Sequence, residues 1–345
     1  MTPIEHVGEF GLIDRITKNF ESYHANVQLG IGDDAAIVKT GSNTVELIST
    51  DLLLEGVHFD LAYAPIQHVG FKSIAVNVSD IVAMNAQPYG VTVSIGVSNR
   101  FTVEAIEELY AGIQAACDAY QIDLLGGDTS SSRQGLVISV TAFGTAQESE
   151  VVRRKGAQVK NLVCVSGDLG SAYAGFLILD REKSVFLKNP QLQPDLNDFD
   201  YVVGRQLRPR ARLDLIQRLA ALNVKPTSMI DVSDGLANEI HHLCKHSNCG
   251  ARLFANKLPL DFQTMKVGEE FQISPVTFAL HGGEDYELLF TIPIEDFDKI
   301  KTEADISVIG HITEDPQVIQ MVLDSGELTD IHPQGWNHFQ QSESE

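Results

Sequence analysis

Residues 44–53 read Thr-Val-Glu-Leu-Ile-Ser-Thr-Asp-Leu-Leu, a run of alternating apolar and polar residues that carries two hydroxyls and a carboxylate in succession. The alternation predicts a strand of a half-buried sheet. We expect the strand formed by Val45 to Ile48 to end at Ser49-Thr50-Asp51, so that the side-chain and backbone oxygens of these three residues converge on one side of its end. Oxygen ligands arranged in this way suit a hard divalent cation such as Mg²⁺.

The same combination of an apolar run and an acidic residue recurs along the chain. The further positions are Asp33-Asp34, Asp80, Asp128, Asp231 and Asp234. For any one aspartate a turn or a helix cap is the ordinary explanation, and Ser79-Asp80 and Ser233-Asp234 have the composition of helix caps. Their joint occurrence beside Gly, Ser and Thr favours several cations that bind phosphate groups. Phosphoryl chemistry is therefore the leading hypothesis.

The hydrophobic pattern around residues 44–53 predicts an α+β fold with mixed or antiparallel sheets and flanking helices. In the first half we expect strands at Tyr89–Val97, Asp123–Leu125 and Leu136–Thr145, and helices at Phe71–Met84 and Val103–Tyr120. In the second half we expect strands at Leu162–Ser166, into Asp231, at Tyr286–Ile292 and at Ser307–Ile312, and helices from Gly170, at Ala211–Leu222 and at Leu236–Lys245. The polar stretch Gln147–Lys160 predicts two domains, 1–148 and 149–345.

Composition excludes several classes of protein. The 345 residues include 25 Lys plus Arg and 47 Asp plus Glu, a formal net charge of −22, with no basic stripe that would neutralise a nucleic-acid backbone. We expect no nucleic-acid partner and no membrane segment, since the most apolar later window, Leu162 to Leu179, contains Asp168. The 4 cysteines are few for this length, which indicates a reducing compartment and a cytoplasmic protein.

Other familiar motifs fail on their context. Gly30-Ile31-Gly32-Asp33-Asp34 is followed by the strand-like Ala36-Ile37-Val38, whereas a dinucleotide-binding loop is followed by a helix. No Gly-Lys-Ser or Gly-Lys-Thr sequence of a phosphate-binding loop occurs. A zinc site is disfavoured because its candidate ligands lie largely on one predicted helix, which turns Cys244 away from the shared face of His242 and His246. The full set of these candidates is His241, His242, Cys244, His246 and Cys249.

Taken in order, the motifs resemble those of the thiamine-monophosphate kinases over nearly the whole chain. They are Gly30-Ile31-Gly32-Asp33-Asp34, Ser49-Thr50-Asp51, Gly56-Val57-His58-Phe59, Asn77-Val78-Ser79-Asp80, Gly126-Gly127-Asp128-Thr129, Asp231-Val232-Ser233-Asp234-Gly235 and Gly282-Gly283-Glu284-Asp285-Tyr286-Glu287. The resemblance places the chain in the aminoimidazole ribonucleotide synthetase-like superfamily. It implies two α+β domains, of which the first mediates a homodimer, and ATP-dependent conversion of thiamine phosphate to thiamine diphosphate, the last step of thiamine diphosphate biosynthesis.

The resemblance also implies roles for individual residues. The residues implied to bind or position several Mg²⁺ ions are Asp34, Ser49, Thr50, Asp51, Asp80, Asp128, Asp231 and Asp234. The residues implied to contact ATP are Asp34, Gly127, Asp128, Arg154 and Ser233, with Arg153 as the alternative to Arg154. The thiamine phosphate pocket is implied to include His58, Glu284 and Trp336. Without the resemblance, His58 is equally well explained as a hydrogen-bonded loop residue and Trp336 as a hydrophobic anchor.

The implied chemistry agrees with these residue types. Aspartate-bound metal ions would let two anionic substrates meet, and Trp336 and Glu284 suit the cationic thiazolium ring. A phosphate monoester has a second pKa of about 6, so the acceptor oxygen needs no general base, and we assign none. Two alternatives stay open here. One is another superfamily enzyme that phosphorylates an amide or formyl oxygen, and the other is a non-enzymatic protein whose acidic turns bind calcium.

Overall fold

Two β-sheets follow one another along the chain. The computed structural model describes residue 6 and residues 8–333. The strands are β1 (Val27–Leu29), β2 (Ala36–Lys39), β3 (Thr44–Leu54), β4 (Gln87–Val97), β5 (Asp123–Ser131), β6 (Val137–Gln147), β7 (Leu162–Ser166), β8 (Ser228–Asp231), β9 (Gly250–Phe254), β10 (Leu288–Ile292), β11 (Ile306–Thr313), β12 (Ile319–Val322) and β13 (Leu328–Asp330). The helices are α1 (Gly8–Thr17), α2 (Ile66–Ala83), α3 (Val103–Tyr120), α4 (Ser171–Lys188), α5 (Asp200–Leu207), α6 (Leu213–Ala221), α7 (Leu236–Ser247), α8 (Phe262–Phe271), α9 (Pro275–His281) and α10 (Phe297–Ile300).

Both sheets are mixed. The first has the order β1-β2-β3-β6-β4-β5, and only the β4–β5 pair is parallel. The second has the order β13-β12-β9-β11-β7-β10-β8, with one parallel pair, β9 and β12. The two sheets lie on either side of the boundary that we propose between residues 148 and 149. The predicted α+β fold with mixed sheets is confirmed.

Helix α2 is the element that the two sheets share. It packs on β3, β4 and β6 of the first sheet and on β8 of the second, and from Val69 onward its residues are buried on every side. A helix buried all round is normally apolar throughout, so the charged Lys72 and Asp80 of α2 are exceptions that need a reason. Although α2 is apolar, neither it nor any other helix between residues 8 and 333 is long and apolar enough to cross a membrane.

The expectation that β3 ends at Ser49 is wrong. The strand continues to Leu54, because β3 and β6 stay paired without interruption from Thr44↔Gln147 to Leu54↔Val137. Side chains alternate along a strand, so Ser49 and Asp51 face α2, while the Thr50 hydroxyl on the other face donates to the Val140 carbonyl at 2.9 Å. The three residues therefore do not converge on one side.

Helix capping, the ordinary alternative for two of the acids, does not explain them, since Asp80 lies in the last turn of α2 and the N-cap of α7 is Gly235, not Asp234. One further expectation is wrong. Strand β5 does not end before Gly126, because it continues to Ser131 in parallel pairing with β4. At Gly127 a Cβ would lie 1.8 Å from the Val93 carbonyl oxygen. This glycine is thus required for close approach of two strands.

Helices α2 and α3 also approach closely, where each carries a glycine. A Cβ on Gly112 would lie 1.8 Å from the Gln67 carbonyl oxygen, and one on Gly70 would lie 2.1 Å from the Leu109 carbonyl oxygen. We expect Gly112→Ala to lower the free energy of unfolding by roughly 1–3 kcal/mol, because the two backbones must move apart. Chemical denaturation measures this change.

The matched control is Gly204→Ala in α5, where a Cβ meets nothing within 4 Å. There we expect alanine to raise the free energy of unfolding by about 1 kcal/mol through its higher helix propensity. Equal stability of the Gly112→Ala variant and the wild type would contradict the close helix contact.

Candidate active site and metal centre

Three carboxylates from distant parts of the chain meet beside α2. Asp34 lies between β1 and β2, Asp80 projects from α2 and Asp231 is the last residue of β8. Each offers an oxygen, and these three oxygens lie within 4.8 Å of one another. We call these residues the acidic cluster. Three like charges at this spacing repel one another strongly unless protons or a cation neutralise them.

Hydroxyl and amide groups hold the acidic cluster in place. Ser49 of β3 donates a hydrogen bond to Asp80 Oδ2, and Ser79 of α2 donates to Asp231 Oδ2 at 2.5 Å. The backbone N–H of Asp51 donates to Asn77 Oδ1 at 3.0 Å. Because Asn77, Ser79 and Asp80 all belong to α2, this helix fixes the positions of β3 and β8 relative to each other.

Burial raises the pKa of the three carboxyls of the acidic cluster and that of Asp51. Desolvation is the largest cause, and it raises the pKa of Asp34 to about 6 and that of Asp231 to about 7. The pKa of Asp51 is likewise raised to about 6 by desolvation. For Asp80, desolvation followed by the charges of Asp51, Asp231 and Asp34 raises the pKa well above its usual range. The protein therefore holds these acids in an environment that disfavours their ionised form.

Arg154 is the cation nearest to this negative charge. Its Nε donates to Asp34 Oδ1 at 3.1 Å, its Nη2 makes a second bond to the same oxygen, and its backbone N–H donates to Asp33 Oδ1 at 3.2 Å. Arg153, the sequence alternative, instead lines a cavity of about 560 Å³ together with Lys155 and Lys225. The geometry thus favours Arg154 over Arg153 as the arginine of this site.

The donor set fits a hard cation. Both bonds from the Arg154 side chain fall on Asp34 Oδ1, whereas the buried Asp34 Oδ2 has no hydrogen-bond partner within the described chain. A buried carboxylate oxygen without a donor is costly unless a cation binds it. Carboxylate and hydroxyl oxygens are the ligands that Mg²⁺ prefers, so the acidic cluster, Ser49 and Asp51 together can hold Mg²⁺.

The turn after β8 depends on a residue that the sequence reasoning missed. Glu239, in the first turn of α7, is 3% exposed and accepts a hydrogen bond from the Asp234 backbone N–H at 3.0 Å. Desolvation, followed by the charge of Asp234, raises the pKa of Glu239 well above its usual range. The available signal was a glutamate placed shortly after Ser233 at a helix start, where it can return a hydrogen bond to the preceding turn.

Two of the predicted substrate residues, His58 and Glu284, lie beside another part of α2. Lys72 Nζ contacts Glu284 Oε2 at 2.7 Å and donates to the His58 carbonyl at 3.2 Å. Glu284 has a φ of +60°, which is uncommon for a residue with a side chain, and its N–H donates to the Ser233 carbonyl at 2.6 Å. His58 and Glu284 are therefore neighbours, and Lys72 is a second residue that the sequence reasoning missed.

Two predicted site residues within the described chain, Gly127 and Asp128, are not brought into this arrangement. Gly127 and Asp128 lie on β5, where all nine residues are exposed. The strand pairs Asp128↔Ser94, Ser94↔Ser139 and Ser139↔Leu52 place Asp128 in the same row of the sheet as Leu52, the residue next to Asp51. Three strand spacings, roughly 14 Å, separate Asp128 from Leu52. Trp336 lies outside the described residues.

The chain is similar to known proteins over almost its full length. Residues 32–146 match the family described as AIR synthase related protein, N-terminal domain, and residues 179–322 match the corresponding C-terminal domain. The thiamine-monophosphate kinase of Aquifex aeolicus (strain VF5) is 34% identical over 337 residues, which are 97% of this chain and 99% of that protein. The thiamine-monophosphate kinase of Bacillus subtilis (strain 168) is 33% identical, over 96% of this chain and 99% of that protein. The solved structure of AaThiL complexed with AMPPCP and TMP has 33% sequence identity and a TM-score of 0.82, and the match covers 98% of this chain and 99% of that one.

The raised pKa values predict how the stability depends on pH and Mg²⁺. Since the pKa of Asp231 in the folded state, about 7, lies above its unfolded value, its contribution to stability is lost as the pH rises through about 7. We therefore expect Asp231→Asn, measured without metal, to raise the Tm by a few degrees at about pH 8, with the gain fading below about pH 6.

Mg²⁺ should act in the opposite direction, because its ligands must be deprotonated. We expect Mg²⁺ to raise the wild-type Tm more at about pH 8 than at about pH 5.5, and to raise that of the Asp231→Asn variant much less. Thermal denaturation with EDTA or with MgCl₂ gives both measurements. A variant that is less stable than the wild type at about pH 8 and keeps the full Mg²⁺ shift would contradict this interpretation.

Proposed function

Because this chain belongs to the thiamine-monophosphate kinase family, we propose that it transfers the γ-phosphoryl group of ATP directly and in line to thiamine phosphate, using several Mg²⁺ ions. The products are thiamine diphosphate and ADP. That the chain is an ATP-dependent kinase follows from its family and from its likeness to a solved structure with AMPPCP and TMP. The direct transfer and the metal ions are inferences from the site.

The observation that supports the proposal best is the acidic cluster, in which Asp34 Oδ2 has no hydrogen-bond partner among the residues that the structure describes. ATP and thiamine phosphate are both anionic, and this protein has a formal net charge of −22. Bringing two such anions together beside buried carboxylates is unfavourable unless cations intervene. When bound, Mg²⁺ would neutralise the phosphate oxygens and align the donor with the acceptor.

The protein groups divide between metal, donor and acceptor. We propose that the metal ions are held by Asp34, Ser49, Thr50, Asp51, Asp80, Asp128, Asp231 and Asp234. Thr50 would use its backbone carbonyl, since its hydroxyl faces away from α2. Arg154 and Ser233, with Gly127, would contact ATP, and Arg154 offers the planar donor group that suits phosphate oxygens.

The acceptor would lie near His58 and Glu284, and Trp336 would complete its pocket. The Leu54 backbone N–H donates to His58 Nδ1 at 3.0 Å, so a neutral His58 carries its proton on Nε2. No general base is assigned, because the phosphate of the acceptor, with a second pKa of about 6, is already ionised at neutral pH. Positioning and electrostatic stabilisation then provide most of the rate enhancement.

Product analysis tests the reaction. The purified protein with ATP, MgCl₂ and thiamine phosphate should form thiamine diphosphate and ADP in equal amounts, and free thiamine should not serve as acceptor. Asp80→Asn should lower kcat at least about 100-fold, because this carboxylate is central to the metal site. Release of inorganic phosphate with no thiamine diphosphate, or near-normal kcat in the variant, would contradict the proposal.

We further propose a homodimer formed through the first sheet. Edge strand β5 is exposed along its whole length, with Leu124 46% and Leu125 52% exposed, and the open face of the sheet also exposes Leu52 and Tyr89. Natural edge strands are rarely left uncovered in this way. A second copy seated here would cover these side chains and would bring its Asp128 to the site of the first copy, which would remove the difficulty of the roughly 14 Å separation within one chain.

Mixed dimers test this arrangement. Dimers that pair one Asp80→Asn chain with one Asp128→Asn chain, purified through two different tags, should regain about half of the wild-type activity, since one of the two sites then has both aspartates. Each homodimeric variant is the control and should be nearly inactive. Inactive mixed dimers, alongside active wild-type dimers carrying the same two tags, would contradict donation of Asp128 between subunits.

A further inference from the structure

Lys72 is the lysine that the fold buries most completely within the described chain, at 3% exposure. Lysine is almost never fully buried unless its ammonium group is paired. Here the ammonium contacts Glu284 Oε2 at 2.7 Å and the carbonyl oxygen of His58 at 3.2 Å. The two partners are the residues proposed above to contact the acceptor, and they come from opposite ends of the chain.

Glu284 Oε2 has a second donor. Gln206 Nε2 of α5 donates to it at 2.9 Å, so that the two contacts named here converge on one oxygen while the Glu284 side chain stays 28% exposed. A carboxylate with one oxygen fixed in this way directs its other oxygen, Oε1, in a defined direction. Because the Glu284 side chain is 28% exposed, a ligand can reach it.

We propose that Lys72 is a positioning residue of the acceptor site, an inference that rests on the proposed function. Its buried ammonium group fixes Glu284 through Oε2 and the His58 segment through its carbonyl oxygen. Lys72 is too buried to contact the acceptor itself, so it acts through these two residues. Lys72 also neutralises the charge of Glu284. Glu284 therefore binds thiamine phosphate mainly by accepting a hydrogen bond at a fixed position, and less through a net negative charge.

The position of Lys72 on α2 adds a geometric consequence. Lys72 and Asp80 are eight residues apart on one helix, which separates them by about 12 Å along its axis. The organic part of the acceptor, held near Lys72, and its phosphate, directed to the metal ions near Asp80, would then lie along α2. One rigid helix thereby sets the distance between the two halves of the acceptor site.

Steady-state kinetics of Lys72→Met test the proposal, since methionine keeps the length of the side chain and removes its charge. We expect the KM for thiamine phosphate to rise by about tenfold or more, from the loss of a charged hydrogen bond, with the KM for ATP and the Mg²⁺-dependent Tm shift unchanged. Lys266→Met is the matched control, because Lys266 makes a 2.8 Å ion pair with Asp198 at the surface, and its KM values should equal those of the wild type.

A double-mutant cycle separates positioning from a merely structural role. Because Lys72 acts on Glu284 and on the His58 segment, adding Lys72→Met to a Glu284→Gln enzyme should raise the KM for thiamine phosphate clearly less than it does in the wild type, and the His58 contact accounts for the remaining rise. Equal increases in both KM values, or effects of the two substitutions that multiply, would overturn the proposal.

If Lys72→Met does not fold, Gln206→Leu is measured instead, because Gln206 contacts the same oxygen of Glu284. We expect Gln206→Leu to raise the KM for thiamine phosphate by less than Lys72→Met would, and to have no effect in a Glu284→Gln enzyme. An unchanged KM in the Gln206→Leu variant would overturn the proposal. Wild-type protein that forms no thiamine diphosphate would refute the proposed function itself. Active wild-type enzyme with an unaffected Lys72→Met variant would refute only the role of Lys72.

Discussion

The site depends on the cost of holding like charges together away from water. Asp34, Asp80 and Asp231 have oxygens within 4.8 Å of one another, and their burial disfavours the ionised form. Ser49, Ser79 and Arg154 offset part of this cost through hydrogen bonds and one positive charge. A divalent cation would offset the rest. Such a site is unfavourable for the free protein and becomes favourable only when its ligands arrive, which is how stability is exchanged for activity at many functional sites.

Helix α2 connects the acidic cluster to the rest of the molecule. From Val69 onward it is buried on all sides, and it joins the acidic cluster at Asp80 to the Glu284 region at Lys72. The loop that contains Glu284 is fixed from the other direction by Asp285, which accepts hydrogen bonds from the N–H groups of Gly170 and Ala172 at the start of α4. The proposed metal site and the proposed acceptor site are therefore attached to the same rigid element, and neither can shift without disturbing the core between the two sheets.

The sequence predicts most elements and much of the site, for reasons that differ between residues. Helix α3 and strand β7 have the predicted bounds, because their apolar periodicity is regular and their ends carry clear signals. Strand β5 is longer than predicted, and β3 continues through Ser49-Thr50-Asp51, which was expected to end it, because pairing with neighbouring strands overrode the polar and glycine residues that looked like strand ends. The local sequence pattern does not show how far a neighbouring strand will extend the pairing, and so it does not show where a strand ends.

The contacts that a local pattern cannot predict are those between distant residues. Lys72 and Glu284 are 212 positions apart, and on its own Lys72 is only one polar residue in an apolar helix. Similarly, the spacing of Asp128 in the sequence gives no sign that β5 lies three strands from β3. The sequence indicates the acidic residues because several of them share one chemical requirement. The lysine and glutamine that contact Glu284, and the glutamate that contacts the Asp234 backbone, depend on the tertiary fold.

The central claim is that the buried acids exist to bind cations for two anionic substrates. Its most direct test is anomalous diffraction from crystals grown with Mn²⁺ in place of Mg²⁺, a non-hydrolysable ATP analogue and thiamine phosphate. We predict anomalous peaks at bonding distance from Asp34, Asp80 and Asp231, each also bound to a phosphate oxygen. Fully occupied substrates with no metal peak at these three carboxylates would contradict the account.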